Sequence, residues 1–355
     1  MSAPWWQQPA QAIDENARLA AQQRQSQLTK PPGSLGRLES LVIQLAGLQA
    51  NVRPVIEQCW VAVFAADHGI AHQGVSAFPQ IVTTEMVRNF ARGGAAISVL
   101  AAQQNARLEV VNVGTAHDPG KLPGVVDQRI GEGTADFSRQ AAMTVEQGQA
   151  ALAAGRDSVR RALEAGSQLY IGGEMGIANT TSAAALGCVL LQQAAGALVG
   201  PGTGLDDAGV RHKAAVIDAA IARHNLDPTD VQQVLNCFGG FEIAALSGAF
   251  MHAAQRGLPV LVDGFICSVA ALIAERLLPG SKQWFIYSHR SAEPGHRAIL
   301  NALGAEPLLD LGMRLGEGSG AAVALSLLRH ACALHNGMAT FEEAAVSTNT
   351  VTSDE

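Results

Sequence analysis

Short, mostly apolar runs alternate along this chain with longer segments of helical periodicity. The runs are Trp60–Ala65, Leu108–Val113, Leu169–Gly172, Val260–Val262, Trp284–Tyr287 and Leu308–Leu311. A polar turn, often rich in glycine, follows each run, and a helix-length segment follows most of these turns. Short apolar runs of this kind are typical of strands that are buried on both faces of a parallel sheet. The pattern therefore predicts an α/β fold with a doubly wound, mostly parallel Rossmann-like sheet and right-handed crossovers.

The two ends of the chain lie outside this rhythm. The N-terminal segment carries two helical apolar stripes, which are separated by the proline- and glycine-rich turn Leu28–Glu39. We predict a small helical subdomain in residues 1–54, with the C-terminal helix in residues 336–355 packed on it. The α/β catalytic domain is predicted to span residues 55–335.

Composition narrows the class of protein. The chain has 355 residues, of which 48% are hydrophobic, and this is enough for one large domain with a small appendage. Its formal net charge is −7 and it contains no basic tract, which predicts no nucleic-acid partner. The most apolar segments are short and rich in alanine and glycine, so no membrane span is predicted.

The cysteines indicate the compartment. There are five, an odd number, and they are far apart: Cys59, Cys188, Cys237, Cys267 and Cys332. Buried free thiols are the expected state, which fits a reducing cytoplasm. No Cys/His cluster suggests a metal site, and Met1–Gln11 lacks the basic and apolar regions of a signal peptide. A cytoplasmic location is predicted.

Two glutamates lie in glycine-flanked turns that follow predicted strands. Glu317 is the acidic residue of the segment MRLGEGSGA, and Glu174 follows two glycines in GGEMG. Glycine lets the backbone approach a ligand closely, and ligands of open α/β sheets bind at such strand ends. A carboxylate in a pocket that excludes water can serve as a general base. The alternative is a capping or solvated glutamate in a flexible turn.

A second glycine-rich segment, Gly200–Asp207, has the composition of an anion-binding turn. Asp206 is the predicted N-cap of the following helix, and Lys213 follows within two turns. The segment lacks the preceding strand and the later acidic residue of a dinucleotide fingerprint, so NAD binding is rejected. Lys213 is either a partner for a phosphate group or a solvated lysine.

Asp67 and His68 stand at the carboxyl end of the first predicted strand. They form either a metal-binding or catalytic pair, or a turn-forming Asp beside a hydrogen-bonded His. The second interpretation is favoured because no third ligand is near in the sequence.

Eight motifs, in order along the chain, resemble one enzyme family. They are KPPGSLGRLE (Lys30–Glu39), ADHG (Ala66–Gly69), GVSAFPQ (Gly74–Gln80), GGEMGIANTT (Gly172–Thr181), GGFE (Gly239–Glu242), VDGF (Val262–Phe265), SHRSAEPGH (Ser288–His296) and MRLGEGSGAA (Met313–Ala322). The chain resembles the nicotinate-nucleotide:dimethylbenzimidazole phosphoribosyltransferases of cobalamin biosynthesis. The resemblance implies transfer of the phosphoribosyl group of nicotinate mononucleotide to 5,6-dimethylbenzimidazole, with inversion at the anomeric carbon. It also implies a homodimer that uses neither a metal nor an organic cofactor.

The resemblance assigns roles to residues. It makes Glu317 the base that removes the benzimidazole proton and Glu174 an accessory or ribose-binding group, with a structural role left open. Ser291 or Arg290 is expected to bind the nicotinate carboxylate, and Asn179 would serve as well. The predicted phosphate and ribose contacts are Gly176, Asn179, Thr180, Gly202, Gly204 and Lys213. The predicted pocket for the benzimidazole consists of Phe78, Met86 and Leu315.

Two other functions remain open on the sequence. The first is a non-catalytic nucleotide- or base-binding protein on the same scaffold, since fold alone does not establish activity. The second is a hydrolase that cleaves the same nucleotide. A base in the pocket distinguishes the enzymes from the binding protein.

Overall fold

Six parallel strands form one sheet in the computed structural model, which describes residues 4–347. The strands are β1 (Cys59–Ala66), β2 (Arg107–Gly114), β3 (Val125–Asp127), β4 (Leu169–Met175), β5 (Val260–Val262) and β6 (Phe285–Tyr287). They lie in the order β3-β2-β1-β4-β5-β6, and each neighbouring pair is parallel. This is the strand order of a doubly wound Rossmann-type sheet, and it confirms the predicted fold class.

The described residues form thirteen α-helices, of which two precede the first strand and the others lie between the strands or follow them in the chain. They are α1 (Glu15–Gln27), α2 (Arg37–Leu48), α3 (Ile81–Arg92), α4 (Ala96–Gln103), α5 (Val145–Glu164), α6 (Asn179–Leu191), α7 (Ala195–Leu198), α8 (Asp207–His224), α9 (Val231–Phe238), α10 (Phe241–Arg256), α11 (Phe265–Leu277), α12 (His296–Leu303) and α13 (Ser319–Gly337). None of those within the described residues is long and apolar enough to cross a bilayer.

The burial of strand β1 explains why the sequence predicts a parallel sheet. All eight of its residues are buried, because helices cover the sheet on both sides. In β4, Gly172 allows α10 to pack closely. A Cβ atom on Gly172 would lie 2.6 Å from the Leu246 side chain and 2.8 Å from the Phe250 ring. The apolar runs and the strand glycine thus follow from close packing of helices on the sheet.

Three local predictions from the sequence are wrong. Periodicity predicts a single helix over residues 81–103, but Gly93, with φ +81°, ends α3 and α4 starts afresh. The predicted strand Leu308–Leu311 contributes only one parallel bridge, between Leu309 and His289, and Leu311 is exposed. The segment Phe341–Val346, which the pattern predicts to be a short helix, forms turns. The short edge strand β3 was not predicted.

Contacts divide the chain into two compact units. The first consists of Gln58–Ala324 with the N-terminal stretch that ends at Gln11, and the second of Ala12–Glu57 with the C-terminal stretch that begins at Leu325. These bounds differ from the predicted 1–54, 55–335 and 336–355. The stretch up to Gln11 joins the first unit because the indole N–H of Trp284 donates to the Gln11 carbonyl at 2.9 Å. Residues 348–355 of the predicted C-terminal helix lie outside the described part of the chain.

The second unit is helical, and polar contacts join its N-terminal and C-terminal parts. The guanidinium group of Arg24 donates to the His335 carbonyl at 2.9 Å, and the Gln25 amide nitrogen lies 2.8 Å from the His335 ring. Within the turn Leu28–Glu39, the buried ammonium group of Lys30 lies 2.9 Å from the Glu39 carboxylate. The Glu39 carboxylate also accepts the Leu35 N–H at 2.9 Å, so this ion pair closes the turn.

Candidate active site

A cavity of about 360 Å³ lies at the carboxyl ends of β4, β5 and β6. Glu174 at the end of β4, Asp263 after β5 and His289 after β6 all line it. It lies on the β4 side of the point between β1 and β4 where the strand order reverses. Ligands of open α/β sheets bind at this position.

The turn before α13 carries Glu317 into this cavity. Gly316, Glu317 and Gly318 have φ values of +92°, +66° and +89°, so three consecutive residues are left-handed. A non-glycine residue in this region is uncommon and is retained where the surroundings fix it. The Glu317 N–H donates to the Glu174 carbonyl at 3.3 Å, which joins the two glycine-flanked glutamates predicted from the sequence.

The Glu317 carboxyl group is buried and has one backbone donor. Its Oε2 accepts the N–H of Ile97, in the first turn of α4, at 3.1 Å. Burial raises the pKa of Glu317, the Ile97 hydrogen bond opposes this rise, and the charge of Asp263 adds to it. A carboxylate whose pKa is raised toward neutrality is a stronger base than a solvated one and is suited to general-base catalysis.

Glu174 lies beside it in a more strongly perturbed environment. Burial, followed by the charges of Glu242 and Asp263, raises the pKa of Glu174 well above its ordinary range. Its Oε2 accepts a hydrogen bond from the side-chain amide of Asn179. Gly316 makes room for the other oxygen, because a Cβ atom there would lie 2.4 Å from Glu174 Oε1.

The start of α6 and the Gly200–Asp207 segment form a polar corner of the cavity. Gly176, Asn179, Thr180 and Gly202 line it, whereas Gly204 does not. Asp206 caps α8 as predicted, since its carboxylate accepts the Gly209 N–H at 2.8 Å.

Lys213 lies behind this corner with only 1% of its surface exposed. Its Nζ donates to the Thr180 hydroxyl at 2.8 Å and would lie 3.4 Å from a Cβ atom on Gly202. Burial lowers the pKa of Lys213 to about 8, and the nearby charge of Glu293 opposes this. The ammonium group is thus buried beside two residues that line the cavity, and the solvated-lysine interpretation is wrong.

The SHRSAEPGH turn contributes Ser291 but not Arg290. Ser291 lines the cavity, while Arg290 is exposed, is absent from the lining and pairs with Asp310 at 3.2 Å. Ser291 is held by a neutral His296, because the Nδ1 atom of His296 accepts the Ser291 N–H at 2.8 Å. Burial lowers the pKa of His296 to about 3, so this ring stays uncharged.

Sequence reasoning missed Asp263 and His289. Asp263 Oδ1 accepts the Ala321 N–H at 2.8 Å and lies 3.6 Å from His289 Nε2. Burial lowers the pKa of His289 and the contacts with Asp263 raise it, with a net rise. Within the described residues, His289 Nδ1 has no hydrogen-bond partner. Their positions within two residues of the carboxyl ends of β5 and β6 were the signal that could have identified both.

The apolar wall of the cavity contains the predicted base-pocket residues. Phe78, Met86 and Leu315 all line it; Met86 is half-buried, while Phe78 and Leu315 are 52% and 60% exposed. Thr203 holds the Phe78 loop, because its hydroxyl oxygen accepts the Ala77 N–H at 3.2 Å. The cavity therefore pairs an apolar rim with a deep group of carboxylates.

Comparison with known proteins identifies the family. The family model described as "Phosphoribosyltransferase" matches residues 10–346. The chain belongs to this phosphoribosyltransferase family. It is 61% identical over 347 residues to the nicotinate-nucleotide–dimethylbenzimidazole phosphoribosyltransferase of Pseudomonas syringae pv. syringae, with 98% of this chain and 99% of the relative covered. The enzyme of the same name from Azotobacter vinelandii is 60% identical over 348 residues, with the same coverage.

Solved structures agree with this assignment. A crystal structure of the corresponding phosphoribosyltransferase from Thermus thermophilus matches with a TM-score of 0.90 and 42% identity, covering 95% of this chain and all of that one. A second crystal structure, of CobT from the same organism, matches with a TM-score of 0.90 and 44% identity, covering 94% of this chain and 99% of that one.

In this phosphoribosyltransferase, Asp67 and His68 lie beneath the cavity and not in its lining. Asp67 accepts the Thr83 hydroxyl at 2.6 Å and the Ala116 N–H at 2.8 Å. His68 bonds through both ring nitrogens to buried side chains. No cluster of three or more acidic, His or Cys side chains suited to a metal occurs between residues 4 and 347. Because both side chains make these hydrogen bonds, the hydrogen-bonded interpretation of this pair holds.

Proposed function

We propose that this phosphoribosyltransferase moves the 5-phosphoribosyl group of nicotinate mononucleotide to 5,6-dimethylbenzimidazole. The products are α-ribazole 5′-phosphate and nicotinate, and the step makes the lower-ligand nucleotide of cobalamin. The names of the relatives support the choice of substrates. The observation that carries the proposal is Glu317, a buried carboxylate of raised pKa that is held at the cavity by the Ile97 N–H.

The reaction requires one base. A benzimidazole ring nitrogen attacks the anomeric carbon from the face opposite nicotinate, so the configuration inverts from β to α. The carbon–nitrogen bond to the pyridinium ring breaks, and its electron pair neutralises that ring, so the leaving group needs no acid. The proton on the second benzimidazole nitrogen passes to the Glu317 carboxylate.

The remaining carboxyl groups suit a cationic transition state. As the bond to nicotinate breaks, positive charge develops on the ribose, by analogy with glycoside cleavage. Glu174 and Asp263 both line the cavity, where the negative charge of Asp263 and the carbonyl dipole of the Glu174 carboxyl group would stabilise this developing positive charge. We assign both to the ribose side of the site.

Phosphate and nicotinate are assigned to the polar corner and to the SHRSAEPGH turn. Lys213 and Thr180 would bind the phosphate together with backbone N–H groups at the start of α6. The proposed phosphate and ribose contacts remain Gly176, Asn179, Thr180, Gly202 and Lys213, with Gly204 shaping the turn. Ser291 would donate to the nicotinate carboxylate, and Arg290 has no part because its guanidinium group lies outside the lining.

The flat, apolar acceptor fits the wall formed by Phe78, Met86 and Leu315. Aromatic and thioether groups make favourable contacts with such rings.

The decisive experiment distinguishes transfer from hydrolysis and from simple binding. Nicotinate mononucleotide is incubated with the protein, with and without dimethylbenzimidazole, and nicotinate and nucleotide products are quantified. We expect nicotinate release that depends on the base and an equal amount of α-ribazole phosphate. Equal release without the base would favour a hydrolase, and no release a binding protein.

We also propose a homodimer in the cytoplasm, as the resemblance implies. All five cysteines are buried thiols, which is consistent with a reducing compartment. Light scattering of the purified protein should give twice the chain mass of 36.9 kDa. A monomer mass across the micromolar range would reject the dimer.

A further inference from the structure

A chain of three buried polar side chains lies directly beneath the cavity floor. His68 Nε2 is 2.5 Å from Glu242 Oε1, and His68 Nδ1 is 2.9 Å from the Ser182 hydroxyl. All three residues are fully buried. Their types are those of a hydrolytic triad, but Ser182 cannot reach a substrate and is not a nucleophile. We call Ser182, His68 and Glu242 the buried relay.

The charged member of the buried relay is Glu242. Glu242 lies in the first turn of α10, where a helix N-terminus favours negative charge. Its Oε1 faces one ring nitrogen of His68 and the Ser182 hydroxyl faces the other, so both ring nitrogens have a buried hydrogen-bond partner. The charge of Glu242 acts on Glu174 from within the protein interior.

Gly176 couples this charge to the active site. A Cβ atom on Gly176 would lie 3.3 Å from both Glu242 Oε1 and His68 Nε2, so the turn rests directly on the relay. The Gly176 carbonyl accepts the Asn179 N–H at 3.1 Å, and the Asn179 amide donates to Glu174. Gly176, Asn179 and Glu174 all line the cavity.

We propose that the buried relay is a positioning device for the transfer reaction: it supports the turn that fixes Glu174 and keeps Glu174 protonated, so that Glu317 is the base. This inference rests on the proposed function. Glu174 then offers a hydrogen-bond donor to the substrate. An ionised Glu174 would compete with Glu317 for the benzimidazole proton, and the relay removes this competitor. Next to burial, the charge of Glu242 is the largest cause of the raised pKa of Glu174.

Ionisable side chains surround the carboxyl groups of both Glu174 and Glu242. The groups that face Glu174 are Glu242, Asp263, Glu317 and Cys267, and those that face Glu242 are His68, Asp67 and Glu174. Three carboxyl groups among the described residues face Glu174. Asp263 and Glu317 line the cavity, and Glu242 does not. A substitution at Glu242 therefore changes the charge beneath Glu174 without removing a substrate contact.

The test uses infrared spectroscopy of the whole protein without substrates. A protonated carboxyl C=O band at neutral pH should be present in the wild type and absent from Glu174→Gln. In Glu242→Gln, the pH at which that band disappears should be lower than in the wild type by about one unit or more. Glu109→Gln is the matched control, because Glu109 is a buried carboxylate that bonds to Arg161 and Ser158 and is absent from the cavity lining. In Glu109→Gln, the Glu174 band should titrate at the same pH as in the wild type.

A kinetic readout complements the spectra. At saturating substrates, the alkaline limb of the kcat profile should move to lower pH in Glu242→Gln, by the same number of pH units as the infrared band. If Glu242 had only a structural role, this limb would not move. A wild-type protein without the Glu174 band at neutral pH, or an unchanged midpoint in Glu242→Gln, would overturn the inference. The infrared result needs no turnover, so it stands apart from any failure of the proposed reaction.

Discussion

The backbone carbonyl oxygen of Glu317 lies 2.2 Å from the position that a Cβ atom on Gly173 would occupy. The strand β4 and the turn that carries the proposed base therefore touch backbone to backbone. Only a glycine at position 173 permits this contact, and the contact fixes where the Glu317 carboxylate enters the cavity.

Gly173→Ala should displace the Glu317 turn. We expect a loss of about 1–3 kcal/mol of folding stability from overpacking and a fall in turnover of about 10²-fold, because the base moves by about an ångström. Thermal unfolding and steady-state kinetics measure the two effects. Gly196→Ala in α7 is the control, since a Cβ atom there meets nothing within 4 Å. Equal turnover in both variants would contradict this account of the turn.

Lys213→Ala should weaken nucleotide binding. A charge-assisted hydrogen bond to phosphate contributes about 1.5–3 kcal/mol, so KM for nicotinate mononucleotide should rise about 10- to 100-fold. The matched substrate is nicotinate riboside, which lacks the phosphate and should show little change. The same loss with both substrates would indicate a structural role for this buried lysine.

Nucleotide capture should also depend on pH through Lys213. Its pKa is lowered to about 8, so the ammonium form is present below that value and is lost as pH rises through it. We expect kcat/KM for the nucleotide to fall above about pH 8, and this limb to be missing in Lys213→Ala. A wild-type profile that stays flat from about one pH unit below this pKa to more than one unit above it would exclude Lys213 as the phosphate partner.

Ser291 and Arg290 form a matched pair of adjacent residues. Ser291→Ala removes a cavity hydroxyl and should weaken inhibition by nicotinate about 5-fold, the cost of about 1 kcal/mol for one neutral hydrogen bond. Arg290→Ala should leave it unchanged, because Arg290 pairs with Asp310 outside the cavity lining. Inhibition constants for nicotinate measure both, and the reverse pattern would restore Arg290 to the site.

The parts of the site that the sequence predicts are those encoded within one segment. The glycine-flanked glutamates can be predicted because each glycine and its glutamate are neighbours in the chain. The parallel sheet can be predicted because its strands are buried on both faces and therefore form apolar runs. A site at the carboxyl ends of the strands follows from those two features.

The parts that the sequence does not predict depend on contacts between distant segments. The Ile97 N–H reaches Glu317 only because Gly93 ends α3 and a new helix begins, where periodicity predicts one continuous helix. His289 approaches Asp263 only because β5 and β6 are neighbours in the sheet. The sequence predicts Arg290 and not His289, because the backbone path of the turn decides which of two adjacent side chains enters the cavity.

The role of Glu317 is tested most directly by Glu317→Gln, with Glu164→Gln at the exposed end of α5 as its control. The amide keeps the size of the side chain and can still accept the Ile97 N–H, but it cannot take the benzimidazole proton. We predict a fall in kcat of about 10²-fold or more, the range typical for loss of a general base, with KM for the nucleotide changed by less than about 3-fold. Turnover equal to that of Glu164→Gln would contradict the assignment of Glu317 as the base.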